Sequence, residues 1–80
     1  MEAEDIIKEV NKIFIDVLDN EDIVITGSTT AAEVEEWDSL THIQLVVAIE
    51  KYFKIRFTSS EIQSFKNVGE MCLAIKSKIS

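Results

Sequence analysis

Proline is absent from this chain, glycine occurs twice, and cysteine once, at Cys72. Without prolines, repeats or low-complexity tracts there is no sign of a linker between modules. A lone cysteine rules out an internal disulfide and fits a reducing, cytosolic setting. Cations are scarce: eight Lys and Arg face fifteen Asp and Glu, for a net charge of -7. Nucleic-acid phosphates would repel such a surface, so nucleic acid is not an expected partner. No apolar run approaches the length needed to span a bilayer. The opening Met1-Glu2-Ala3-Glu4-Asp5 is acidic, the opposite of a secretory or organellar leader.

What the chain does have is apolar residues, 46% of its 80 positions, enough for one small core and too few positions for two. The expectation is a single domain over residues 1–80. The surplus of acid keeps such a protein soluble and monomeric, and it steers partners that carry basic docking patches.

Periodicity predicts an all-α fold. Ala3, Ile6, Ile7, Val10, Ile13, Phe14, Val17 and Leu18 recur at three- and four-residue spacing and predict a first helix ending near Asp19 and Asn20. Residues 19–38 then show no helical period, an unusually long connection for a compact domain. Ile23, Val24 and Ile25 are expected to pin it across the bundle, with Val34 and Trp37 as further anchors. Glu33, Glu35, Glu36 and Asp38 make it the densest acidic stretch. These acids lack the fixed ligand spacing of a calcium loop and read as a solvated loop that attracts basic partners.

A second helix is predicted from about Ser39 to Phe53, followed by a short extended connection from Lys54 to Phe57. Thr58 and Glu61 have capping-box spacing, which predicts a short third helix carrying Ile62 and Phe65. Asn67 and Glu70 repeat that spacing before a last helix with Val68, Met71, Cys72, Ile75 and Ile79 on one stripe. The predicted fold is a small four-helix bundle, three main helices and one short one, with a long loop between helices one and two.

The second helix has two apolar faces. At about 100° per residue, Leu45, Ile49, Tyr52 and Phe53 fall on one side and Leu40, Ile43 and Val47 on nearly the opposite side. The set ending in Phe53 is the expected core face. The other is either an exposed contact stripe or a surface covered by the long loop.

Asp38-Ser39-Leu40 lies where the acidic loop meets this helix. A serine there is exposed on a stiff element, and the helix dipole and the first backbone N–H groups favour an anion beside it. The position suits attachment of a phosphate-linked group. His42 lies three residues on, which raises a Ser39–His42–Asp38 hydrolase reading, but no Gly-x-Ser-x-Gly elbow surrounds the serine and His42 projects nearer the core face. Cys72, on the stripe of the last helix, reads as a small core residue. A helical module that docks proteins without modification is the alternative to a carrier.

The stretch Glu36-Trp37-Asp38-Ser39-Leu40-Thr41-His42-Ile43-Gln44-Leu45-Val46-Val47-Ala48-Ile49-Glu50, extended by the Phe53, Ile55 and Phe57 spacing and the last helix, resembles the acyl carrier protein family. The resemblance implies that Ser39 receives 4′-phosphopantetheine from coenzyme A by the action of a phosphopantetheinyl transferase. It implies that Asp38 serves transferase recognition and that the arm's thiol carries acyl or aminoacyl groups between partner enzymes. It implies a carrier with no catalytic residue of its own; partner docking is expected on the Leu40, Ile43 and Val47 stripe with Glu50, and the lone cysteine fits a cytoplasmic location. Glu36 stands where many members have glycine, and Trp37 where the residue is often small, a pattern similar to stand-alone carriers of specialised pathways.

Overall fold

The computed structural model describes residues 2–79. Four helices appear, α1 (Ala3–Leu18), α2 (Ser39–Phe53), α3 (Ser59–Ser64) and α4 (Val68–Ile79), and no strand is present among the described residues. The all-α bundle with a long first loop is therefore the fold, with helix bounds close to those the periodicity predicts.

Each boundary has a local cause. Asp19, at φ 53°, turns left-handed after α1 and its N–H reaches the Ile15 carbonyl. Lys54 does the same after α2 at φ 59°, bonding the Glu50 carbonyl. Thr58 and Glu61 form the expected reciprocal capping box on α3. At α4, Asn67 Oδ1 accepts the Glu70 N–H at 2.8 Å, but the Glu70 carboxylate reaches back to the Lys66 N–H instead of that of Asn67.

α1 packs on both α2 and α4. Ile6, Val10, Ile13, Phe14 and Leu18 of α1 are buried against Leu45, Val46 and Ile49 of α2 and Val68, Met71, Cys72 and Ile75 of α4. One expectation for α2 is corrected. Tyr52 is 53% exposed, its hydroxyl bonded to the Glu9 carboxylate, and Val46 is buried in its place. Leu45, Ile49, Phe53 and Val46 span an arc of about 100°, whereas Tyr52 projects beyond its edge. The core face of α2 is thus rotated toward Val46.

The long loop is pinned by fewer residues than expected. Ile23 and Ile25 are buried while Val24 between them is 81% exposed, the alternation of an extended segment. Asn11 of α1 holds this segment from both sides, donating to the Ile23 carbonyl at 3.2 Å and accepting the Ile25 N–H at 2.7 Å. Trp37 is buried and meets Phe14 edge-on, with ring centroids 5.1 Å apart. Val34 is only half-buried.

The loop also caps α4. Carbonyls of Thr29 and Gly27 accept the Val68 and Gly69 N–H groups at 2.9 and 2.7 Å, two donors that a helix start leaves unpaired. A Cβ on Gly69 would lie 2.5 Å from the Gly27 carbonyl oxygen, so glycine is required for that approach.

Candidate functional site at the start of α2

Asp38 is the N-cap of α2 and Ser39 its first residue. Asp38 Oδ1 accepts the Leu40 and Thr41 N–H groups at 3.0 and 2.9 Å, while Thr41 Oγ1 accepts the Asp38 N–H at 2.8 Å. The same Thr41 hydroxyl donates to the Glu36 carbonyl at 2.8 Å, which ties the last loop turn to the helix. The Thr41 backbone N–H foremost, then its hydroxyl and the Leu40 N–H, hold the Asp38 carboxyl below the usual carboxylate range against a smaller opposing effect of desolvation. Two of the first amides are therefore committed to Asp38. The open end of the dipole is narrower than the sequence argument supposes.

Ser39 itself is exposed, and its hydroxyl has no hydrogen-bond partner among the described residues. Beside it lies a groove of about 490 Å³, lined among others by Trp37, His42, Ile43, Ile62 and Phe65. Both Ile62 and Phe65 are expected on the short third helix; Ile62 lies on α3 and Phe65 caps its end. Both are only half-buried, because α3 has a single turn and a half and leaves its inner face partly open toward α2. Their i, i+3 spacing is a signal common to core and groove walls, so the groove was not legible from spacing alone.

His42 is fully engaged elsewhere. Trp37 Nε1 donates to its Nδ1 at 3.0 Å, and its Nε2 lies 3.0 Å from the Ile62 carbonyl. Neither nitrogen bonds Ser39, so the hydrolase arrangement is not formed. His42 instead links loop, α2 and α3 at the floor of the groove.

The Leu40, Ile43 and Val47 stripe is open, at 69%, 51% and 41% exposure, and the loop does not cover it. Glu50, also expected on that face, is half-buried and its carboxylate accepts the Phe57 N–H at 2.8 Å. The acidic loop residues are spread out: Glu33 accepts the Thr30 N–H at 2.8 Å and Glu36 the Asn20 side-chain amide at 2.7 Å. Among the described residues no three His, Cys, Asp or Glu converge as metal ligands. Cys72 is buried as expected, and burial pushes its thiol up to about 11. Among the described residues no helix is long and apolar enough to cross a membrane.

Residues 8–75 match the family model described as "Phosphopantetheine attachment site". The fold superposes on the solution NMR structure of holo acyl carrier protein from Geobacter metallireducens with a TM-score of 0.86, at 37% identity, over 91% of this chain and 84% of that one. An exposed, unbonded hydroxyl on a stiff helix end fits the family's covalently attached group, which needs a free oxygen and room around it. The family match and the shared fold together establish that the chain belongs to the acyl carrier protein family, whose members are carriers of covalent phosphopantetheine and not enzymes.

Proposed function

We propose that Ser39 is the attachment residue and that the chain presents acyl or aminoacyl groups to the successive enzymes of a lipid, polyketide or related biosynthetic pathway in the cytoplasm. The observation that carries this is the exposed Ser39 hydroxyl, without a partner, at the first position of α2 and inside the span of the family match. When bound, 4′-phosphopantetheine supplies a thiol that holds such groups as thioesters.

The chain's own residues do the rest by position and charge. Ser39 Oγ is the atom that bears the phosphate. Asp38 is held ionised by the Thr41 and Leu40 N–H groups, fixes the first turn of α2, and offers its charge to the phosphopantetheinyl transferase. Leu40, Ile43 and Val47 give partner enzymes an apolar face beginning one residue after the attachment point, and the acidic loop attracts their basic patches. Glu50 supports that face by holding the connection after α2 through Phe57. Tethering one cargo on a rigid helix end raises its effective concentration at each docked active site.

Intact mass after incubation with coenzyme A, magnesium and a broad-specificity phosphopantetheinyl transferase tests the assignment. The expected result is a gain of one phosphopantetheine that Ser39→Ala abolishes. An unchanged mass would instead support a helical interaction module that works unmodified.

A further inference from the structure

Against the acid surplus of this chain, three of its eight cations fall within six residues at the far end of α2: Lys51, Lys54 and Arg56. All three are exposed, and among the described residues none makes an ion pair or side-chain hydrogen bond. They surround a groove of about 470 Å³ whose remaining walls are Val47, Glu50 and Ile55. Val47 is also the last residue of the exposed stripe, so groove and stripe form one continuous surface. The single carboxylate in the groove, Glu50, accepts the Phe57 N–H and pairs with none of the three cations, so the groove keeps a net positive charge.

Helix stabilisation does not account for the cluster. A cation in the last turn complements the helix dipole, and Lys51 is so placed. Lys54 is already the left-handed cap, however, and Arg56 lies beyond the helix altogether.

We propose that this end of α2 is a second docking determinant, one that takes carboxylates on the surface of a partner enzyme. The inference rests on the carrier reading and deepens it. Asp38 and Lys54 mark opposite ends of α2, about 24 Å apart at 1.5 Å per residue. The apolar stripe between them therefore has a negative end beside Ser39 and a positive end at the groove. A fitting partner has the reverse polarity, basic near the attachment point and acidic at the far end. Docking the other way round would set like charges against each other, so the charge pattern selects one orientation.

The test uses the loaded full-length chain with a photocrosslinking residue in place of Val47, irradiated in extract of its native host. The crosslinked segment is sequenced, and its parent protein is purified as the probe for calorimetric titration at low salt, where such contacts are strongest. The expected segment carries a surplus of Asp and Glu. The Lys51→Glu/Lys54→Glu/Arg56→Glu variant should then bind roughly tenfold or more weakly, while the equally charged Lys8→Glu/Lys12→Glu/Lys66→Glu variant changes affinity about twofold or less. The proposal is overturned by a basic or neutral segment, by a second copy of this chain as the crosslinked protein, or by equal effects of the two variants. It is also overturned if the crosslinker captures a partner from Leu40 but none from Val47. Intact mass of the starting sample separates the two layers: an arm that never loads sinks the carrier reading, whereas a loaded chain indifferent to the basic cluster sinks this inference alone.

Discussion

Trp37 and His42 are joined ring to ring, the indole Nε1 donating to the imidazole Nδ1 at 3.0 Å with the two planes 24° apart. An indole can only donate, so Nδ1 is bare and Nε2 carries the hydrogen that meets the Ile62 carbonyl. His42→Phe keeps the ring but strands the buried indole N–H and the carbonyl. It should cost about 1–3 kcal/mol in urea unfolding followed by the fluorescence of the single tryptophan. Loading of Ser39 should persist. Unchanged stability, or an ¹⁵N spectrum placing the hydrogen on Nδ1, would refute the linkage.

Gly69 gives the sharpest steric test. Its missing Cβ would sit 2.5 Å from a backbone oxygen, which cannot swing aside as a side chain could. Gly69→Ala should destabilise the protein by about 1–3 kcal/mol, a fall in Tm of roughly 4–8 °C for each kcal/mol in a domain of this size. Calorimetry showing an unaltered Tm would mean that the loop does not cap α4.

The acid limb of stability is tied in part to Asp38. Its carboxyl is held below the ordinary range in the folded protein, so its contribution is complete above the unfolded value of about 3.9. That contribution is lost as pH falls through the lower folded value. Asp38→Asn should flatten this part of the pH–stability curve and speed amide exchange at Leu40 and Thr41. An acid limb identical to that of the parent would count against the cap.

Cys72 titrates in the other sense. Burial keeps the thiol neutral, so stability is unaffected below the unfolded value of about 8.5 and declines as pH rises toward about 11. Cys72→Ala should lack this alkaline decline. The native unloaded chain should also react slowly with a thiol reagent at pH 8, and loading should add one fast thiol. A fast thiol before loading would show Cys72 to be accessible.

Val47 lies on the open stripe, and Val47→Asp should leave helical ellipticity intact and stability within about 0.5 kcal/mol. Partner docking should weaken. Wholesale loss of ellipticity would place Val47 in the core.

The helices were legible in the sequence because their signals are local: three-four periodicity in α1 and the Thr58–Glu61 capping box declare themselves within a few residues. The Asp38-Ser39-Leu40 boundary was legible for the same reason. The rotation of the α2 core face was not, since Tyr52 and Val46 differ only in which neighbour they meet across the bundle. Nor was the groove beside Ser39, which exists because α3 is short and His42 is drawn down between Trp37 and Ile62. The commitment of the Leu40 and Thr41 amides to Asp38 depends on rotamer, which spacing does not specify.

Asn11 has a consequence for how this chain can vary. One side-chain amide, offering donor and acceptor together, does for the Ile23–Ile25 segment what a neighbouring strand would do in a sheet. The long connection is thereby divided in two: a half held in register against α1, and a half between the Thr29 and Trp37 anchorages held by its own turns and by Glu33 and Glu36. Side chains exposed in that second half, Ala31, Ala32, Glu33 and Glu35, can therefore change without touching the register that Asn11 sets.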